Sequence, residues 1–284
     1  MSYTYTQSDP PNFGKAKFIP KFIFNLIVKI RKKKSEKIIN NIKYNSEIRV
    51  DTITILILSC KRLGSLKRLI SSIKPFFKNI DTFKKVEFVL VDNGSNKELL
   101  EWCRSTNFFT RIIHFKKNLG MCEALNSAYK EINSEFILLL EDDFVIDYQK
   151  PFLKNCINIF REYPEIGIIR LKNQNNWGKK HRIIGPIRKT KNDTKFWTWL
   201  PSLNGKLNVW AAGSVMFRKI SYLHLGEIHC SLNFSRSQNK HQGVYYEEIY
   251  GKKFNKIWLA AKIKNCYPFV QLERDSESPG WGEF

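Results

Sequence analysis

The chain has 284 residues, enough to bury a full core as one large domain or two small ones. Its hydrophobic fraction of 43% and aromatic fraction of 14% exclude global disorder. With 48 basic against 26 acidic side chains the formal charge is +22, which favours polyanionic partners such as phosphorylated substrates or anionic lipid. No nucleic-acid motif accompanies the charge, so no nucleic-acid partner is expected. Cys60, Cys103, Cys122, Cys156, Cys230 and Cys266 lie far apart, without zinc or redox spacing. Several fall in apolar runs, where a reduced thiol acts as a small core hydrophobe. The N-terminus lacks the layout of a signal peptide, and a cytoplasmic protein is expected, with peripheral membrane attachment left open.

In chain order, residues 1–46 form a basic N-terminal segment ahead of a main domain at 47–284. Phe18–Ile30 is apolar but interrupted by Lys21, Asn25 and Lys29, which make one polar stripe on a helix. Ile23, Leu26, Ile27 and Ile30 make the opposite face, and Arg31-Lys32-Lys33-Lys34 follows at once. The stretch is too short and too charged to span a bilayer. Two readings stand side by side: residues 18–34 lie in an anionic membrane interface, or the helix packs on the main domain.

From Val50 onward strands and helices alternate. Thr52–Ser59 is a continuous β-branched and aliphatic run, as a strand buried on both faces requires. Leu63–Phe77 has helical spacing, Val86–Val91 is a second buried strand, and Lys97–Ser105 a second helix. Arg111–Phe115 is a short strand, Leu119–Ile132 a helix, and Glu135–Leu140 a fourth strand. Strand–helix repeats of this kind predict an α/β fold with a doubly wound, mostly parallel sheet.

Ligands of such sheets bind beyond the carboxyl ends of the strands. Three ends carry polar groups: Ser59-Cys60-Lys61-Arg62, Asp92-Asn93-Gly94-Ser95 and Glu141-Asp142-Asp143. Three adjacent carboxylates repel one another unless solvated or neutralised, and a hard divalent cation with oxygen ligands neutralises them while binding a pyrophosphate. A surface turn whose acids cap the next helix explains the same residues equally well. The second acid, Asp92, on another strand end of the same sheet, favours the cation. The single glycine of Lys61-Arg62-Leu63-Gly64-Ser65 argues against a nicotinamide or P-loop enzyme.

Together these residues resemble the family 2 glycosyltransferases of the GT-A fold, over about residues 50–262. Ser59-Cys60-Lys61-Arg62 is similar to that family's first strand end, with Lys61 in place of Asn. Val91-Asp92-Asn93-Gly94-Ser95 resembles its VDDGS segment, whose acid contacts the nucleotide. Asn118-Leu119-Gly120 and Ala124-Leu125-Asn126 resemble its N-x-G…A-R-N stretch, with Leu125 where Arg stands. Glu141-Asp142-Asp143 matches its D-x-D motif in an EDD form. The resemblance implies Asp143 as ligand of a Mn2+ or Mg2+ ion, and Glu141 near the ribose or a metal-bound water. Ser59, Lys61, Arg62, Asp92, Asn118, Gly120, Glu141 and Asp142 would surround the nucleotide.

Ala212–Lys219 is similar to the family's G-S-x-x-x-F-R-R segment, which places Gly213 and Ser214 on the acceptor side. Tyr246–Lys253 resembles its E-D-x-x-L-x-x-R motif, with Glu248 in the place of the catalytic base and Glu247 as the alternative. The implied fold is a Rossmann-like half over 47–146, fused to an acceptor half over 147–284. The implied activity is inverting transfer from a nucleotide-diphosphate sugar, with uridine as the family's habitual base, to a saccharide or lipid-linked hydroxyl. A sugar-phosphate nucleotidyltransferase and a basic binding module on an inactive fold are the rival readings.

Between Gly167 and Leu207 the pattern is less regular. Trp177, Trp197 and Trp199 suit stacking on sugar rings or, equally, a core. The tail Arg274–Phe284 reads as a disordered terminus or a lid.

Overall fold

A computed structural model describes residues 17–45, 48–77, 81–147, 152–172, 183–200, 213–228 and 249–272. The apolar runs become the centre of the sheet. β2 (Arg49–Ser59), β3 (Lys85–Asn93), β4 (Arg111–Phe115) and β5 (Ser134–Glu141) are parallel, in the order β5-β2-β3-β4. Alternate side chains of one strand feed opposite cores. Ile53, Ile55 and Ile57 join the cluster that holds α2 (Leu63–Phe77), α3 (Lys97–Ser105) and α5 (Phe152–Glu162). Leu56 and Leu58 join the cluster of α4 (Met121–Glu131) and α6 (Lys219–Leu225). A strand enclosed on both faces therefore has no polar alternation, which is why β2 reads as a continuous apolar run.

Helix boundaries follow local chemistry. The Asn96 side chain accepts a hydrogen bond from the backbone N–H of Leu99 and caps α3 at its start. α2 and α3 span the residues expected of them; α4 begins at Met121, after Gly120, rather than at Leu119.

Beyond β5 the sheet changes direction. β11 (Val215–Arg218) lies antiparallel between β5 and β7 (Ile166–Arg170). The ladder continues through β12 (Leu259–Ile263), β10 (Lys195–Leu200), β8 (Ile183–Ile184) and β1 (Lys17–Phe18), with β9 (Arg188–Lys189) on β10. β6 (Phe144–Ile146) and β13 (Phe269–Gln271) form a separate pair. One sheet thus runs through both expected halves. The region expected to be irregular contributes β7 to β10; the aromatic run of β10 is a strand, with Trp197 and Trp199 buried in a core rather than presented to a ligand. Trp177 and the tail from residue 273 lie outside the described residues.

α1 (Lys21–Asn45) is longer than expected and turns a different face inward. Phe24, Ile27, Val28, Ile38, Ile39 and Ile42 pack on the two cores. Of the expected face only Ile27 is among them; Ile23, Leu26 and Ile30 are exposed. The inward stripe is set by the whole helix length, which the first thirteen residues could not reveal. The ring of Phe24 occupies the space a side chain at Gly185 would need, and the Arg188 guanidinium lies 5.8 Å from its centroid. Among the described residues no helix is long and apolar enough to cross a membrane.

Candidate active site

The register of the parallel strands brings the polar ends to one edge. Ser59 stands opposite Asp92, Leu58 opposite Glu141, and Asp92 opposite His114. Backbone and side-chain bonds then tie the loops together. The backbone N–H of Lys61, a residue in the left-handed region (φ 58°), donates to Ser95 Oγ at 2.7 Å. The Asn93 amide clamps the next loop: its Nδ2 donates to Asn118 Oδ1 at 2.7 Å, and its Oδ1 accepts from the Leu119 N–H at 2.9 Å. Asn118 Oδ1 also accepts from the N–H of Gly120 at 2.8 Å. Gly94 has φ 89°, and a side chain there would run into the backbone of Lys117 and Asn118. This approach of two loops requires glycine.

Asp92 is fully buried. Its Oδ2 lies 2.7 Å from His114 Nδ1, and its Oδ1 accepts from the Ser95 N–H at 3.3 Å. His114 was not anticipated; the signal lay in the strand alignment, since it sits one residue before the end of β4, directly beside Asp92.

The three acids occupy different surroundings. Asp142 is buried, accepts from Ser59 Oγ at 2.7 Å, and pairs with Arg62, whose Nη2 is 2.5 Å from Oδ1. Burial pushes its carboxyl up to about 6, against the pull of Arg62 and Ser59. Asp143 is also buried; Oδ2 accepts from Gln271 Nε2 at 2.8 Å and lies 3.8 Å from Arg62 Nη1. Its Oδ1 has no hydrogen-bond partner among the described residues. Gln271 in turn receives a hydrogen bond from Lys172, and the Leu272 N–H donates to the Asp143 carbonyl at 2.8 Å. Gln271 left no signal in the sequence, because it reaches Asp143 from a strand more than a hundred residues away.

Glu141 is half-buried beside Gly213, where a Cβ would come within 2.9 Å of Glu141 Oε1. Gly213 (φ 79°) and Ser214 (φ 45°) lead into β11, and the buried Ser214 Oγ has no partner among the described residues. A cleft of about 300 Å³ opens next to Lys61, lined also by Leu63, Gly64, Lys67, Asn96 and Glu98. Ser59, Lys61, Arg62, Asp92, Asn118, Gly120, Glu141, Asp142, Asp143, Gly213 and Ser214 therefore gather at one edge of the sheet. Glu247 and Glu248 lie outside the described residues, just before a helical stretch at 249–254.

Residues 54–218, more than half the chain, match the profile described as "Glycosyl transferase family 2", and the chain belongs to that family. Its mixed α/β sheet is that of the GT-A fold. The poly-beta-1,6-N-acetyl-D-glucosamine synthase of Staphylococcus aureus is 23% identical over 157 residues, 51% of this chain and 35% of that protein. Its Staphylococcus epidermidis counterpart is 24% identical over 156 residues, again 51% and 35%. The match thus spans about a third of the length of these curated relatives. Among solved structures, S. aureus TarS (residues 1–349) superposes with a TM-score of 0.53 at 15% identity, covering 78% of this chain and 60% of that one. The same protein in complex with UDP-GlcNAc gives 0.52 at 12%, covering 79% and 59%. At such identity the likeness is one of fold.

Proposed function

We propose that the chain transfers a sugar from a uridine-diphosphate donor to a saccharide or lipid-linked hydroxyl, with inversion at the anomeric carbon. The observation that carries this reading is the placement of Asp92 and Asp143 at the same end of one sheet, with the buried Asp143 Oδ1 lacking a hydrogen-bond partner among the described residues. An unpartnered buried carboxylate oxygen is costly unless a cation or donor completes it. Among the described residues no cluster of three acids, histidines or cysteines could cage a metal. One carboxylate together with substrate phosphates is nevertheless a common way to hold Mg2+, so the residues fit such an ion. Asp143 would hold Mg2+ or Mn2+, fixed by Gln271 and Arg62 on its other oxygen. When bound, the ion supplies positive charge against the diphosphate leaving group.

The chain's own residues do the rest. Asp92, oriented by His114, is set to accept from the uracil or ribose. Glu141, beside Gly213, contributes a carboxylate between donor and acceptor sides. Glu248, or Glu247 as the alternative, takes the proton of the acceptor hydroxyl. The hydroxyl oxygen then forms the new bond to the anomeric carbon as the bond to the diphosphate breaks. One base and no enzyme nucleophile give inversion. The donor is supported by the UDP-GlcNAc bound to the TarS fold relative and by the N-acetylglucosamine polymer named in the curated relatives.

The test is Asp143→Ala, assayed by turnover of a nucleotide-sugar panel and by thermal shift with UDP and Mn2+. Turnover should fall about a hundredfold or more, and the Mn2+-dependent shift should vanish. A variant that keeps both disproves the metal assignment. Glu248→Gln should abolish turnover while keeping the thermal shift; if only Glu247→Gln does so, the base is Glu247.

A further inference from the structure

We infer that the outward face of α1 docks the protein on an anionic lipid bilayer, with the apolar side chains of its first turns inserted and its lysines on the headgroups. The inference concerns α1 alone and does not depend on the donor or on the metal.

Phe24, Val28, Ser35 and Ile42 lie on the side of the helix turned to the protein. Opposite them, at intervals of four, stand Phe22, Leu26 and Ile30, exposed by 74%, 59% and 48%. Phe18, ahead of the helix, is exposed by 58%. Residues 18–30 supply five of the eight large exposed hydrophobics among the described residues, so the apolar surface is concentrated there. Past Ile30 the same outward side becomes basic, with Lys33 and Lys37 continuing the row.

Six exposed lysines, Lys21, Lys29, Lys32, Lys33, Lys34 and Lys37, flank or extend the apolar row. The only acid on the helix is Glu36. An apolar row bordered by lysine matches a bilayer interface, where the ring and aliphatic groups enter the acyl boundary and ammonium groups meet anionic headgroups. A nucleic acid would leave Phe22 and Leu26 without a partner. A second copy would set one lysine-rich half against another, or against the apolar half. Charge and apolarity together therefore select the anionic bilayer.

The test uses the full chain and sedimentation with vesicles of phosphatidylcholine, alone or with about a third phosphatidylglycerol. The wild type should bind the mixed vesicles and bind the neutral ones at least tenfold more weakly. Phe22→Ser with Leu26→Ser, and separately Lys33→Glu with Lys34→Glu, should each lose at least tenfold in partition. Both pairs are exposed, so thermal unfolding should not change. A second readout is Phe22→Trp, whose added emission should shift to the blue on mixed vesicles.

Equal binding to neutral vesicles, absence of binding to mixed ones, or an unshifted tryptophan would overturn the inference. So would wild-type partitioning by the Phe22/Leu26 variant, since charge alone would then account for binding. A dimer in light scattering that the same variant breaks would assign the face to a second copy instead.

Discussion

Asp142 and Asp143 are neighbours in the chain with different fates. Asp142 is held from two sides, by Ser59 and Arg62, and acts as an internal strut between β2 and β5. Removing the hydroxyl leaves a buried acceptor short of a donor, so Ser59→Ala should cost about 1–3 kcal/mol in urea unfolding. Lys219 offers a cleaner titration. Its Nζ is buried against the Tyr129 carbonyl, and burial lowers its pKa to about 8 from the usual 10.5. Between those values the folded chain has lost a proton that the unfolded chain still carries, so stability rises with pH across that window. Relative to Lys219→Met, the wild type should gain about 1.5 kcal/mol between pH 8 and about pH 9.5, measured by denaturant unfolding. A flat difference would show that the ammonium is solvated in the native state.

At the scale of elements, α1 separates packing from exposure within one helix. Phe24→Ala should cost about 3–5 kcal/mol, because a filled contact with Gly185 and the core is emptied. Leu26→Ser, two residues on and exposed, should stay within about 0.5 kcal/mol. Calorimetry of the two variants checks the contrast. Gly94 works between elements: Gly94→Ala must strain a left-handed backbone and push the β4–α4 loop away. It should lower the melting temperature and weaken UDP binding together.

These elements also show what the sequence could carry. β2, β3 and β5 were legible because double burial writes itself as an unbroken apolar run. The strand-end polar groups were legible because parallel topology leaves them on one edge. The inward face of α1 was not, since a helix with apolar residues on several sides does not say which neighbour will cover them. Trp197 and Trp199 were ambiguous for a similar reason: an aromatic strand and an aromatic binding wall have the same composition. Gln271 on Asp143 is a contact between distant segments and leaves no local pattern.

The whole molecule is strongly cationic, and a net charge of +22 repels itself in the compact state. Raising NaCl from about 0.05 M to about 0.5 M should therefore raise the melting temperature through screening. A melting temperature that falls would mean that attractive pairs, not repulsion, dominate the field.

The position of β11 has a mechanical consequence. It is hydrogen-bonded to β5 on one side and to β7 on the other, so β3, which carries Asp92, and β5, which leads into the turn of Asp143, share a single ladder with the strands from β7 to β1. A clamshell rotation of two lobes would have to tear main-chain bonds in the middle of the molecule. Small-angle scattering should accordingly give the same radius of gyration with and without UDP and Mn2+. The frame beneath the candidate site is thus as rigid as a keel.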